Sequence, residues 1–350
     1  SRRQKMRIAH LADSHIKCLR YHEEYRKVFS EIYKTLREQN VDCIMHCGDI
    51  AHSKTDISPE YVMMCKDFLS SLADIAPLII IPGNHDFNLR NLNRVDALTP
   101  IVESLQHPGI TYCKKFGVVN IGPIDVYALS CADKDNWQTP SSDDKINLAL
   151  YHGAVASSKT DIGWAIEESE DDVNIFDEFD FVMLGDIHKE QSLDSEGRFR
   201  YCGSTVQQNF GEEDNKGFLI WDIKSKIDFS VEKFIFKNPK PFITIEVGDG
   251  NLKCDLNKIP KNARIRVMSE SQITKRDLDK AIDLIKFKCS PESVISGKIK
   301  LFKETANGTI ENHNIHDINV QEKLIKEFLE NYELDDDVLN EVIELNKEVN

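Results

Sequence analysis

The sequence lacks any apolar run near the roughly 18 to 20 residues that a helix needs to cross a bilayer. Its start, residues 1–5, is basic and leads directly into a strand-like segment, without the apolar stretch of a signal peptide. Ser1 in place of Met indicates a trimmed or engineered terminus. We therefore expect a globular, cytoplasmic protein.

Cysteine pairs with metal-binding spacing are also missing, because the nine cysteines never occur as Cys-x-x-Cys. Their odd number and scatter argue against a disulfide framework and a zinc ribbon, and predict reduced, mostly buried thiols. There is no excess of positive charge either, since 44 Lys and Arg against 59 Asp and Glu give a net charge of −15. A protein that coats nucleic acid broadly would be basic, so any DNA contact must be local or shared with a partner.

The chain does contain a regular alternation of strand-like and helix-like segments. Short apolar runs that lead into loops of Gly, His, Asp, Asn or Ser predict buried strands at residues 7–11, 43–47, 78–81, 124–129, 147–150 and 179–184. Between them, apolar residues from 25 to 36 share one helical face, and a second helix over 59–73 begins after Ser58 as its cap. This alternation, in a chain of 350 residues, predicts an α/β fold with one large domain and smaller attachments.

The pattern changes after residue 199, where strands at 216–223 and 229–236 are typical of hairpins. Prolines at 239 and 241 place a domain boundary near residue 238. Strands at 242–247, 263–268 and 293–302 with a helix at 275–288 predict a small α+β module over 238–302, followed by a polar linker over 303–319. Two apolar stripes then predict a helical hairpin over 320–350, and the pattern alone leaves open whether it packs on its own chain or on another protein.

Small clusters of Asp, His and Asn follow several of the predicted strands. Because the carboxyl ends of parallel strands meet at one edge of an α/β sheet, we expect these side chains to converge. A single such cluster would more often be a turn or cap, whereas the ordered set is a strong signal. The clusters are Asp13-Ser14-His15, Gly48-Asp49, Gly83-Asn84-His85-Asp86, Tyr151-His152-Gly153 and Gly185-Asp186-Ile187-His188.

The ligand types in these clusters indicate a metal centre. The clusters offer carboxylate oxygens, imidazole nitrogens and one amide oxygen. This mixture of ligands suits Mn²⁺, Fe²⁺ or Zn²⁺, and it differs from the thiolate ligands of a structural zinc site. A carboxylate can bridge two ions, and two ions can activate water and neutralise a phosphate during an in-line displacement. The set therefore predicts phosphoester hydrolysis.

These motifs resemble the signature of the calcineurin-like metallophosphoesterases, whose fold is a β-sandwich flanked by helices. The segments 48–53 and 203–212 resemble the DNA-nuclease branch of that family, the SbcD-type nuclease subunits with phage, archaeal and eukaryotic relatives. The similarity covers roughly residues 6 to 236, within a predicted nuclease domain over 1–237.

The resemblance implies a role for each motif residue. One ion would be held by Asp13, His15 and His188, the other by Asn84, His152 and Asp186, with Asp49 bridging the two. His85 would contact the scissile phosphate and protonate the leaving oxygen, with Asp86 orienting it. His52 matches a further phosphate-side histidine, against the alternative of a loop histidine without a role.

Asp186 departs from the family pattern, which usually has Gly-His-x-His where this chain has Gly185-Asp186-Ile187-His188. A carboxylate there makes the second site harder and more negative, which favours Mn²⁺, or Mg²⁺ as the alternative, over softer ions. The competing interpretation is that Asp186 is too short to reach and that the second ion is held loosely.

The resemblance also implies partners. It implies a homodimer, an SMC-like ATPase bound by residues 320–350, and a capping domain at 238–302 that holds DNA over the metals. The implied activity is Mn²⁺-dependent exonuclease and endonuclease action in double-strand-break repair or recombination, in a bacterium or a phage-infected host. Two alternatives stay open: a phosphatase or cyclic-nucleotide phosphodiesterase of the same fold, and a catalytically silent scaffold.

Overall fold

The computed structural model describes residues 5–141, 144–166, 171–248 and 251–301. The linker predicted at 303–319 and the helical hairpin predicted at 320–350 lie outside the described residues. Within those ranges, no helix is both long enough and apolar enough to cross a membrane.

The first two sheets are built from the strands β1 Met6–Leu11, β2 Cys43–Cys47, β3 Leu78–Ile81, β4 Ile110–Tyr112, β5 Gly117–Ile121, β6 Ile124–Leu129, β7 Ile146–His152, β8 Phe181–Gly185, β9 Gln191–Ser192, β10 Phe199–Tyr201, β11 Gly217–Ile223 and β12 Phe229–Ile235. The helices that accompany them are α1 His22–Gln39, α2 Pro59–Ala73 and α3 Thr99–Leu105. The structure thus confirms the six predicted strands, with shifts of one or two residues at the ends of some of them.

Each of these sheets has six strands, in the orders β12-β11-β1-β2-β3-β4 and β5-β6-β7-β8-β10-β9. Strands β1 to β4 run parallel in the first sheet, and β6, β7, β8 and β10 run parallel in the second. In the first sheet β11 runs antiparallel to its neighbours β1 and β12, and in the second the edge strands β5 and β9 run antiparallel to β6 and β10. The loops after the parallel strands of both sheets therefore open toward one common edge.

The sheets pack face to face as a sandwich. Ile8, Met45 and Trp221 of the first sheet share one buried cluster with Leu148 and Phe181 of the second. The outer face of the first sheet is covered by α1 and α2, whose apolar stripes form a separate core with it. The α/β class and the sandwich flanked by helices are confirmed.

Local sequence explains where the helices begin. The Ser58 hydroxyl accepts a hydrogen bond from the Tyr61 N–H at 3.1 Å, and Pro59 occupies the first turn of α2, where an N–H would have no partner. Asn40 ends α1 in a left-handed conformation, which asparagine tolerates better than most residues. These signals are local, so they could be predicted from sequence.

Residues 242–301 form two smaller sheets around a further helix. Their elements are β13 Phe242–Gly248, β14 Asn251–Leu252, β15 Arg264–Met268, β16 Gln272–Ile273, α4 Lys275–Cys289, β17 Ser293–Ser296 and β18 Lys300–Leu301, with the sheet orders β14-β13-β15-β17 and β16-β18. The single strand predicted at 293–302 is wrong. The chain leaves the larger sheet after the Gly297 N–H bonds to the Val267 carbonyl at 2.8 Å, and then pairs with β16.

Two core histidines make the fold sensitive to acid. Burial lowers the pKa of His10 and of His46 to about 3, whereas an unfolded histidine titrates near about 6.5. Between these values the unfolded chain binds more protons, so stability is full above pH ~6.5 and falls by about 1.4 kcal/mol per pH unit for each histidine as the pH drops.

We therefore expect His10→Gln to flatten the pH dependence of the free energy of unfolding by up to about 1.4 kcal/mol per pH unit below pH 6.5. Glutamine can still donate to the Leu184 carbonyl, which His10 Nε2 approaches at 3.1 Å. Urea unfolding in EDTA at intervals from pH 7 to pH 5 measures this slope. An unchanged slope in the variant would show that His10 is not neutral in the folded protein.

Candidate metal centre

The predicted ligands meet at the common edge of the two sheets, and several of them occupy a strained backbone. Asp13, His15, Asp49 and Asp186 have φ of +52°, +43°, +56° and +99°, in the region that favours glycine. Such a conformation costs of order 1–3 kcal/mol at each non-glycine residue and persists where the surroundings enforce it. Gly83 lets its loop lie directly against Asp49, because a Cβ at this position would be only 2.2 Å from Asp49 Oδ1.

Asp49 lies at the centre of the cluster and faces two groups of donors. Its Oδ2 is 3.6 Å from His15 Nε2, and its Oδ1 is 3.4 Å from His152 Nε2. A carboxylate whose two oxygens point to two separate imidazoles has the geometry of a bridging ligand.

The first group contains Asp13, His15 and His188, with ligand atoms within 4.8 Å of one another. The Nε2 atoms of His15 and His188 are 3.0 Å apart, and Asp13 Oδ1 is 3.8 Å from His15 Nε2. Two imidazole nitrogens and a carboxylate oxygen that converge in this way fit a divalent cation.

In the second group, His152 has ligand atoms of Asp13 and Asp49 within 4.8 Å, and it lines one cavity together with Asn84 and Asp186. Asn84 Oδ1 and His152 Nε2 are buried and have no hydrogen-bond partner among the described residues. Because an unsatisfied buried polar atom costs about 1–3 kcal/mol, two such atoms in one cluster fit a cation that accepts their lone pairs. Asp186 Oδ1 lies 3.7 Å from His152 Nε2, so the aspartate carboxylate lies beside this imidazole.

Outer hydrogen bonds fix the orientation of two of the imidazoles. His152 Nδ1 lies 2.7 Å from the carbonyl of Cys47, and His188 Nδ1 lies 2.7 Å from Glu212 Oε1. If each Nδ1–H donates to its oxygen, Nε2 is left with a lone pair toward the site, as metal ligands require.

Glu212 was missed by the sequence reasoning, although it ends the segment 203–212 that carried the resemblance. Its carboxylate also accepts from the Ser204 hydroxyl, the Gln208 N–H and the Asn209 amide. Only the folded chain reveals that a residue 24 positions away holds the ring of His188.

The role predicted for Asp86 requires a correction. Its carboxylate accepts backbone N–H groups of Asp49 and Ala51 at 2.8 Å and of Gly83 at 2.9 Å, so it ties two loops together. The His85 ring is oriented by a different group, since its Nδ1 lies 2.6 Å from the carbonyl of His52. Asp86 is fully buried and shapes the site through the backbone, not through the His85 ring.

His85 and His52 lie on the exposed side of the cluster. The two rings are 6.2 Å apart, and the His85 ring is 4.8 Å from that of His15. A ring nitrogen of His85 falls within 4.8 Å of ligand atoms of His15 and Asp49. Both exposed histidines can therefore face a molecule bound at the centre.

Burial and neighbouring charges shift the pKa values of several side chains in the site. Burial raises the pKa of Asp13 to about 7. Burial acts in the same direction on Asp49, but the His152 imidazole outweighs it, and the pKa of Asp49 lies below its ordinary value. Burial opposes charge on His188, yet the hydrogen bond to Glu212 and the charge of Asp13 raise its pKa to about 9. A cation must therefore displace imidazole protons, so its affinity should fall as the pH drops.

Glu212→Gln should lower Mn²⁺ affinity by about ten- to a hundredfold, because the neutral amide supports the His188 imidazole less well than the carboxylate does. Calorimetric titration of the purified variant with Mn²⁺ measures the loss. Glu213→Gln, at the exposed neighbouring position, is the matched control and should bind Mn²⁺ as the wild type does. Equal affinity in both variants would exclude a role for Glu212 in positioning His188.

Comparisons with known proteins identify a family and several relatives of this chain. The family model of calcineurin-like phosphoesterases matches residues 6–190. An uncharacterized protein of Acanthamoeba polyphaga mimivirus is 32% identical over 357 aligned residues, which cover 98% of this chain and 26% of that protein. The chain thus spans about a quarter of the length of the mimivirus relative.

Two shorter relatives carry nuclease or repair names. The SbcD component of the nuclease SbcCD from Staphylococcus saprophyticus is 28% identical over 282 residues, covering 70% of this chain and 72% of that protein. The DNA double-strand break repair protein Mre11 of Halobacterium salinarum is 22% identical over 308 residues, covering 85% and 74%.

Proposed function

The chain belongs to the calcineurin-like phosphoesterase family, and we propose that it is a two-metal phosphodiesterase that cuts DNA. The observation that carries the proposal is the divided contact of Asp49, with one carboxylate oxygen toward His15 and the other toward His152. This arrangement supports two neighbouring cation sites that share one ligand.

In this proposal the first ion is held by Asp13, His15 and His188, the second by Asn84, His152 and Asp186, and Asp49 bridges them. When bound, two divalent cations supply a nucleophilic water and neutralise the charge of a phosphate. Four of the seven ligands offer oxygen, which supports Mn²⁺, with Mg²⁺ as the alternative. The Asp186 carboxylate in the second group adds to this preference.

His85 is proposed as the acid that protonates the leaving oxygen. The carbonyl of His52 holds its Nδ1–H and so fixes the ring, leaving Nε2 to carry a proton toward the substrate. His85 is exposed, and its backbone N–H donates to Asp49 Oδ1 at 2.8 Å, which holds this part of the loop next to the centre. The neighbouring His52 ring is proposed to contact the same phosphate.

DNA is the proposed substrate, on the support of the relatives named as nuclease and break-repair proteins. With a net charge of −15, this chain needs help to hold a polyanion. We therefore propose an SMC-like ATPase partner, bound by residues 320–350, and a homodimer of nuclease subunits. The role would be in double-strand-break repair or recombination.

Residues 238–302 are proposed as a capping domain beside a nuclease domain over 1–237. The described part of this module has its own apolar core around Ile265 and Ile285. Arg264 joins it to the rest of the chain, because its Nη1 donates to Glu24 Oε2 at 2.8 Å and its guanidinium lies 4.8 Å from the Tyr21 ring. This contact would hold the cap at a fixed angle.

The substrate class can be tested with a panel of phosphate esters. In Mn²⁺ the purified chain should cleave linear DNA and bis(4-nitrophenyl) phosphate, and should leave 4-nitrophenyl phosphate and a phosphoserine peptide nearly intact. Faster hydrolysis of the monoesters than of the diesters would indicate a phosphatase. Mn²⁺ binding without hydrolysis of any ester would indicate a silent scaffold.

A further inference from the structure

A short hairpin beside the metal centre carries two large apolar side chains that contact little of the described protein. Lys159 pairs with Ala165 in an antiparallel bridge, and the Thr160 N–H donates to the Trp164 carbonyl at 2.9 Å. Trp164 is 74% exposed and Ile162 is 64% exposed. Exposed tryptophan is uncommon in a protein that does not use it for binding.

The hairpin is fixed to the rest of the molecule at its base. The Gln191 side chain accepts from the Lys159 N–H at 2.8 Å and donates to the Lys159 carbonyl at 2.6 Å. The Gln191 amide thus makes the two hydrogen bonds to the Lys159 backbone that a neighbouring β-strand residue would otherwise make. The exposed side chains therefore project from an ordered base.

The tip of the hairpin is fixed to the metal centre itself. Lys216 is 2% exposed, and its ammonium group lies 2.9 Å from Asp161 Oδ1 and 2.7 Å from the carbonyl of His188. The same ammonium group lies 3.5 Å from Glu212 Oε2. One buried cation thus connects the hairpin with a proposed metal ligand and the carboxylate that supports it.

A cavity of about 290 Å³ separates the hairpin from the metal centre. Its walls include Thr160 and Ile162 on one side and Asp186 and His188 on the other. Thr160 and Trp164 are opposed across the hairpin, and the exposed Trp164 lies two residues from Ile162, which lines the cavity.

The lining favours an uncharged, flat ligand group over a phosphate. Among the described residues of the wall there is no Lys or Arg, and the Asp161 and Glu212 carboxylates are turned toward Lys216. On the hairpin side of the cavity, away from the proposed ions at Asp186 and His188, a phosphate would meet no free side-chain cation among the described residues. A nucleobase is uncharged, and its π-face can stack on an indole ring.

We propose that Trp164 and Ile162 form a stacking platform for an unpaired nucleobase next to the phosphate that is cut. This inference rests on the proposed function, because it assumes a DNA strand at the metal centre. A base within a duplex is covered by its neighbours, so the platform would favour single strands and frayed ends over intact duplex. Stacking on the platform would let this chain hold DNA at one point, although its net charge is negative.

Tryptophan fluorescence gives a test that does not depend on catalysis. Trp221 is buried and Trp137 is partly buried against Tyr151, so the contribution of Trp164 is the change in emission that Trp164→Phe and Trp164→Leu lose. A single-stranded phosphorothioate oligothymidylate should quench the emission. An oligomer of abasic deoxyribose phosphates with the same length and charge should not. Trp164→Phe keeps an aromatic face, whereas Trp164→Leu keeps only apolar volume.

The kinetic result expected is a roughly tenfold or larger rise in KM for single-stranded DNA in Trp164→Leu, with a much smaller rise in Trp164→Phe. Mn²⁺ affinity measured by calorimetry should not change in either variant, because Trp164 is not among the proposed metal ligands. Ile227→Ala, at a distant and more exposed position (85%), is the matched control and should resemble the wild type.

Two results would overturn the inference in distinguishable ways. If the wild type cuts DNA but Trp164→Leu leaves KM unchanged, or the abasic oligomer quenches as strongly as oligothymidylate, the platform is wrong and the nuclease proposal stands. If the wild type hydrolyses bis(4-nitrophenyl) phosphate but neither cuts nor binds DNA, the proposed function fails and the platform fails with it.

Discussion

Asp49→Ala is expected to remove both Mn²⁺ binding at the centre and hydrolysis. Asp49 places one carboxylate oxygen 3.6 Å from His15 Nε2 and the other 3.4 Å from His152 Nε2. Loss of a ligand shared by two cations should weaken both sites, and a loss of several kcal/mol in transition-state stabilisation corresponds to at least about a thousandfold in rate. Calorimetry with Mn²⁺ and initial rates on labelled DNA measure the two effects.

The alanine variant also loses the hydrogen bond from the His85 N–H, so local unfolding must be separated from loss of metal. Asp49→Asn keeps an oxygen that can accept this bond but removes the charge, and circular dichroism reports whether either variant is folded. Asp135→Ala, an exposed aspartate on another loop, should behave as the wild type does. A folded Asp49→Asn protein with full Mn²⁺ affinity and full activity would refute the bridging role.

His85→Gln should produce the second large effect, with a different signature. Because the proposed role of His85 is proton transfer and not ligation, we expect Mn²⁺ affinity close to that of the wild type and a kcat on DNA lower by about 10²–10⁴-fold. The loss should be much smaller with bis(4-nitrophenyl) phosphate, since nitrophenolate leaves as a stable anion without needing a proton.

This pair of substrates separates an acid from a phosphate-binding residue. A residue that only binds the phosphate would slow both substrates by a similar factor. His107→Gln, which changes a histidine remote in sequence from the motifs, serves as the control. Equal losses on DNA and on the nitrophenyl ester would assign His85 to phosphate binding, and a loss of Mn²⁺ affinity would make it a ligand.

Much of the fold could be predicted because its signals are local or periodic. The runs that became β2 and β3 are buried on both faces, so they appear in the sequence as largely apolar stretches, β3 as four uninterrupted Leu and Ile residues and β2 with one histidine. The cap at Ser58 was equally visible. The split between β17 and β18 was not, because it depends on pairing with strands that are distant in sequence.

The convergence of the site could be predicted for a topological reason, and its details could not. Parallel strands place their carboxyl ends together, so the clusters after β1, β2, β3, β7 and β8 had to meet. The Asp49 carboxylate directs one oxygen to His15 and the other to His152, and this orientation depends on a left-handed backbone at φ +56°. The contacts of Asp86 between loops and of Glu212 behind His188 are ones that no spacing encodes.

Cleavage of DNA by the purified chain tests the central claim most directly. The measurement is the degradation of end-labelled single-stranded and linear duplex DNA in Mn²⁺, with EDTA as the blank and Asp49→Asn beside the wild type. The account predicts that the wild type shortens the labelled strands, that EDTA stops it and that the variant leaves the DNA intact. Intact DNA in the presence of wild-type protein with two bound Mn²⁺ ions would contradict it.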